Sequence, residues 1–177
     1  MVDYAATYQL QIDDSSSFNL PLIHDYTVIS GLSQIIDSLP DGKYYWHVRA
    51  QNVINVYGPW SSYRYFTIDT VAPPSPVLSG PVDGSSPVGT PTFSWKASAT
   101  ASRYQFEYNS TDDPNTYLYK SGDLTTLSYK PPTIEATNPL SPIYWFVRAK
   151  DAAENWSPWS GSFTVTIFSQ RSQLRQH

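Results

Sequence analysis

Aromatic and charged side chains crowd together in the stretch IYWFVRAKDAAENWSPWS at residues 143–160. Tyr144, Phe146 and Arg148 fall on one side of an alternating run, and Trp156 and Trp159 follow shortly after it. Exposed aromatic rings stack on sugar rings, and Arg148, with Gln105 and Glu107 from an earlier run, could bond sugar hydroxyls. Those six residues, Glu107, Tyr144, Phe146, Arg148, Trp156 and Trp159, form a candidate carbohydrate-binding face, to which Tyr117 or Tyr119 could add. Two readings compete with it. Arg148 and Lys150 could lay their aliphatic stems over the rings, or the Arg148 guanidinium could stack on the two indoles and brace the chain rather than bind a ligand.

Other chemistry has less to work with. The three histidines, His24, His47 and His177, stand far apart with no cysteine or second histidine at ligand spacing, so no metal site is expected. Asp13-Asp14 and Asp112-Asp113 each follow a strand-like run; a calcium site needs several oxygens converging, and a solvated turn is the plainer reading. There is no Gly-x-Ser-x-Gly elbow and no phosphate-binding glycine loop, and "GSSPVG" at 84–89 is a turn. With no acid/base pair or nucleophile constellation standing out, an enzyme is not expected, nor is any cofactor. Asn109 and Asn155 head glycosylation sequons, which matter only in a eukaryotic secretory pathway.

The elements that must hold these residues show themselves in an internal repeat. "YQLQID" at 8–13 matches "YQFEYN" at 104–109; "YYWHVRAQ" at 44–51 matches "IYWFVRAK" at 143–150; "PWS" recurs at 59–61 and 158–160. Each block alternates with period two. Tyr44, Trp46, Val48 and Ala50 oppose Tyr45, His47 and Arg49; Ile143, Trp145, Val147 and Ala149 oppose Tyr144, Phe146, Arg148 and Lys150. That pattern marks strands with one buried and one wet face. Aromatic residues make up 15% of the chain and prolines number 15, with turn signals such as Pro40-Asp41-Gly42 between the runs. Short strands at regular spacing argue for an all-β sandwich. The net charge of −4 carries no basic run for nucleic acid, and no apolar stretch approaches the ~18 residues of a membrane span.

The chain resembles tandem fibronectin type III or related immunoglobulin-like repeats of bacterial surface and secreted proteins. "PTFSW" at 91–95, "LPDGKYYWHVRAQN" at 39–52, "YWFVRAKDAAENWSPWS" at 144–160 and "FTIDTVAPPSPVLSGPVDG" at 66–84 carry the likeness. It implies two β-sandwich modules. In the second, residues 77–168, strand A falls near 76–80, B at 91–97, C at 103–109, C′ at 116–120, E near 124–130, F at 142–150 and G at 159–168. The first, residues 1–70, begins at strand C and lacks the A and B strands that match residues 76–99; its strand E is expected at 33–39. Residues 71–76 form a proline-rich linker and residues 169–177 a polar tail. The two tryptophans also resemble the signature of cytokine-receptor ectodomains, where strand-F arginines interleave with tryptophans near strand G. The cysteines those receptors carry are absent here, and the first module has only "YGPWS" at 57–61.

The resemblance implies a non-catalytic spacer or adhesion module of a larger surface or secreted protein, extracellular or at the cell surface. The alternative is a carbohydrate-binding accessory module. Met1 leads straight into strand-like sequence with no signal-peptide pattern, so the chain is expected to be a mature fragment or to start inside a longer protein. The bared inner face of the first module is expected to attract other copies of the chain or other surface proteins.

Overall fold

The computed structural model describes residues 5–134 and 141–167, which form strands and loops with no helix among them. The chain divides into two compact units, Met1–Thr70 and Val71–His177.

The first unit is one antiparallel sheet of β1 (Ala5–Asp13), β2 (His24–Ile29), β3 (Gly42–Asn52) and β4 (Arg64–Ile68), in the order β2-β1-β3-β4. The register sets Leu10 opposite Val48 and Ile12 opposite Trp46. With side chains alternating across the pleat, Tyr8, Leu10, Ile12, Trp46 and Val48 therefore share one face. No second sheet lies in this unit among the described residues. Residues 33–39, expected as strand E, form no strand. In a closed module strand E ladders onto strand B. Among the described residues no strand lies beside 33–39, and its backbone forms no ladder.

The second unit closes. Its strands are β5 (Leu78–Gly80), β6 (Phe93–Trp95), β7 (Arg103–Asn109), β8 (Tyr119–Lys120), β9 (Ser128–Tyr129), β10 (Ile143–Lys150) and β11 (Phe163–Val165). They build a four-stranded sheet, β11-β10-β7-β8, and a three-stranded one, β5-β6-β9. Leu78, Phe93 and Trp95 of the small sheet pack on Tyr104, Phe106, Tyr108, Ile143, Trp145 and Val147 of the large one. Burying each such side chain is worth about 1.5–3 kcal/mol, and this aromatic core is what holds the two sheets together. Phe168 and the polar tail lie outside the described residues.

The segment expected as a linker belongs to the second unit. Pro73 and Pro76 are buried, Ser98 Oγ donates to the Pro74 carbonyl at 2.5 Å, and Ser75 Oγ donates to the Pro158 carbonyl at 3.2 Å. Proline spacing alone does not distinguish a free spacer from a strap, because rings that stiffen a linker also pack well against a core.

Candidate functional site

The aromatic constellation is built twice, by the same local device. At the end of β10, the Asp151 carboxylate accepts from the Ala153 and Asn155 amides at 2.8 and 2.9 Å. In the first unit Asn52 does the same for Ile54 and Val56, at 3.1 and 2.9 Å. The residue at the turn, Glu154 or Asn55, takes a left-handed conformation (φ 72° and 62°). The chain then runs back along β10 or β3. The Ser157 and Ser160 amides donate to the Ala149 and Val147 carbonyls at 2.8 Å each, and the Gly58 and Ser61 amides to those of Ala50 and Val48 at 2.9 Å each. This return carries the motif aromatics over the outer face of the sheet.

There the arginine of the preceding strand lies between them. Arg148 Cζ is 4.1 Å from the Trp156 ring centroid and 4.6 Å from that of Trp159. Arg49 Cζ is 3.9 Å from Tyr57 and 4.4 Å from Trp60. A glutamine on the neighbouring strand fixes each guanidinium: Gln105 Oε1 accepts from Arg148 Nε and Nη2 at 3.0 and 2.7 Å, and Gln9 Oε1 accepts from Arg49 Nε at 2.8 Å. The guanidinium's planar face meets the rings while its edge meets the amide, a division of labour that lysine cannot perform.

The six candidate residues do not all remain available to a ligand. Tyr144, Arg148, Trp156 and Trp159 are half-buried. Phe146 and Glu107, expected on the exposed face, are 2% and 0% exposed. Alternation does place them outward, but the returning loop and β8 cover that side, so the outward face is not a wet one here. Glu107 pairs with Lys120 Nζ at 3.0 Å, and Lys120 also lies over Tyr117 and Trp159 at 4.2 and 5.3 Å. Burial pushes the Glu107 carboxyl up from its ordinary range, and Lys120 pulls it back only in part. Tyr117 stays open, at 57% exposure.

In the first unit the ladder runs further than the sequence reading foresaw. His47 stacks between Phe18 and Trp60 at 3.7 and 3.9 Å between centroids. Its ring also bonds Gln11 Oε1 at 2.9 Å. The signal was present in the repeat: His47 aligns with Phe146, an aromatic position.

No family model and no curated protein matches the chain. Among solved structures it is similar to the fibronectin(III)-like modules of Clostridium thermocellum CbhA, with TM-score 0.53 and 14% identity over 100% of this chain and 85% of that one. It is also similar to the FN1–FN3 domains of chicken CNTN1, with TM-score 0.56 and 15% identity over 92% of this chain and 55% of that one. The fold is fibronectin type III-like. Likeness at these identities carries the fold and no ligand.

The face of the first unit that carries Tyr8, Leu10, Ile12, Trp46 and Val48 is the second place where a molecule could bind. A cavity of about 450 Å³ opens there, lined from the sheet by Tyr8, Leu10, Ile12, Trp46, Val48 and Phe66. Leu32 and Ile36 line it from the loop above. The lining carries no titratable group other than the tyrosine, so the cavity suits apolar packing and not acid/base chemistry. Among the described residues no three His, Cys, Asp or Glu side chains gather as a metal site would need, and no helix is long and apolar enough to cross a membrane.

Proposed function

We propose that this chain is a non-catalytic module of a larger surface or secreted protein, acting outside the cell or at its surface as a spacer whose first unit is adhesive. The observation that carries the reading is the contrast between the two faces. The outer aromatic groups are spent on bracing the sheet, whereas the inner apolar face of the first unit stays open around its cavity. Fibronectin type III-like neighbours that span more than one domain support the spacer part. The partners of such a face are other copies of the chain or other surface proteins.

Replacement within the parent protein tests this. An unrelated closed sandwich in place of residues 71–177 should leave surface attachment intact, and the same change at residues 1–70 should reduce it. Attachment that survives loss of residues 1–70 would remove the adhesive role, and loss of a catalytic activity in either replacement would remove the non-catalytic one.

Carbohydrate binding on the outer face keeps one supporting observation, the exposed Tyr117 ring beside Lys120 and Trp159. With Phe146 and Glu107 buried, its contact area shrinks to Tyr117, Tyr144, Arg148, Trp156 and Trp159. Reproducible signal on a glycan array, lost on Trp159→Ala, would favour it over adhesion.

A further inference from the structure

The two sheets of the second unit approach each other at an edge where, among the described residues, no ladder joins them. β8 is the outermost strand of the larger sheet and β9 of the smaller. The chain crosses between them through residues 121–127, touching the larger sheet at the Tyr104–Leu124 bridge. Tyr119 of β8 opposes Tyr108, and Tyr129 of β9 opposes Phe93. The hydroxyls of Tyr119 and Tyr129 bond to each other across the gap. Their rings lie 17° from parallel, with centroids 6.3 Å apart. Both are held from behind: Tyr119 stacks on the buried Tyr108 at 5.5 Å and 12°, and Tyr129 leans on the buried Phe106 at 5.5 Å. The pair cannot part without disturbing the core, yet it is only half-buried and an oxidant can reach it.

Hydroxyl contact has a chemical consequence. In a tyrosyl radical the unpaired electron resides on the oxygen and on the ring carbons ortho to it. Two rings that meet hydroxyl to hydroxyl bring those ortho carbons together as well. Burial first, and Tyr119 next, push the Tyr129 hydroxyl up to about 12, so it keeps its proton and the bond persists through the ordinary pH range. The chain has 14 tyrosines and no cysteine, so phenol coupling is a crosslink open to it where a disulfide is not.

We propose that Tyr119 and Tyr129 form an oxidative crosslinking site, which a haem peroxidase or another one-electron oxidant converts into a dityrosine that staples the two sheets. Each phenol gives up one electron and its hydroxyl proton. The two radicals join by a carbon–carbon bond between ortho carbons. The hydrogen on each of those carbons then moves to the oxygen, which restores both rings. Two electrons and two protons leave in all, and hydrogen peroxide takes them up to become two waters. The new bond ties together residues ten positions apart and restricts the unfolded chain as a disulfide does. This site lies in the second unit and does not rest on the adhesive reading above.

The test treats the full chain, kept dilute, with a haem peroxidase and hydrogen peroxide and isolates the monomer. The monomer should lose the mass of two hydrogen atoms and gain the fluorescence of a biphenol. Trypsin should release the peptide that ends at Lys120 joined to the one that begins at Ser121. Thermal unfolding of the second unit should move up by at least about 5 °C. Tyr119→Phe and Tyr129→Phe keep the ring packing, and each should abolish both the crosslink and the shift; Tyr63→Phe should leave both in place. A treated monomer of unchanged mass overturns the proposal, and so does a crosslink that survives Tyr129→Phe. A crosslink mapped only to Tyr45 with Tyr63 or Tyr65, whose rings meet at 80° and 55°, overturns it as well. A crosslink at Tyr119 and Tyr129 that leaves unfolding unmoved overturns the staple.

Discussion

Trp46 and Trp145 hold the same place in the repeat, opposite Ile12 and Tyr108, and their surroundings differ completely. Trp145 is fully buried under Phe93. Trp46 is half-buried and lines a cavity. The outer faces of the same two strands, by contrast, are nearly superposable in chemistry: an arginine held by a glutamine and stacked between two aromatics. The difference separates local from non-local structure. The ladder is assembled from two adjacent strands and the loop that follows, so it forms wherever that sequence occurs. The inner face needs a second sheet, and stays open in the first unit without one.

The largest break in the comparison should come from removing the two tryptophans. Trp145→Ala is expected to cost about 3–5 kcal/mol, the usual range for a large aromatic lost from a closed core. Trp46→Ala should cost about 1–2 kcal/mol, since part of its surface already meets solvent. Urea unfolding followed by probes specific to each unit checks the gap; equal losses would mean that the first unit has a closed core.

The ladders should respond alike. Arg148→Ala and Arg49→Ala are each expected to lower the stability of their own unit by about 1 kcal/mol, through lost stacking and stem packing. Lysine at either place should recover only part, because the planar guanidinium is what lies on the rings. Melts in which both variants match the parent would show that the stacks carry no energy.

A smaller asymmetry lies in the returning loop. Ser157 Oγ accepts from the Ala149 amide at 2.8 Å, and the first unit has Gly58 at the matching place. Ser157→Gly should cost the second unit about 1 kcal/mol, because the buried amide loses its partner. Gly58→Ser should stabilise the first unit by about 0.5–1 kcal/mol, by adding that bond and restricting the unfolded chain. The added Cβ meets only the Ala50 carbonyl, at an ordinary 3.7 Å. Thermal unfolding of both variants reads the two effects with opposite sign.

The finest contrast is in pH. His47 is held below its ordinary value of 6.5, by burial first and by Arg49 next, with Asp25 opposing. The folded unit therefore favours the neutral ring. Its contribution is complete above the unfolded value and is lost as pH falls through the folded one. The first unit should weaken as pH falls below the ordinary value of 6.5, and His47→Phe, which copies Phe146, should flatten that slope. A slope unchanged by the substitution would place its origin elsewhere.

Much of this was legible in the sequence, and the misses have a common cause. Alternation in residues 44–50 and 143–149 placed the strands and separated their two faces, and the repeat set the strands of the two units in register. Alternation did not show that Phe146 and Glu107 are buried, because it separates two faces without saying what covers each. On that side Lys120 of β8 pairs with Glu107, and the returning loop lays Trp156 and Trp159 on Arg148. The resemblance implied a strand at 33–39, yet a strand is a relation between two chains of backbone, and among the described residues no strand lies beside it. The prolines of 71–76 read as a spacer, whereas Pro73 and Pro76 are part of the second unit's packing.

Amide exchange along β3 and β10 compares the two units most directly, because the strands match residue for residue. The amides of Trp145 and Val147 should exchange only with global unfolding of their unit. Those of Trp46 and Val48 should exchange at least about a hundredfold faster, through opening of a sheet with one bare face. Equal protection of the two strands in the monomeric chain would contradict the claim that the first unit's inner face is open.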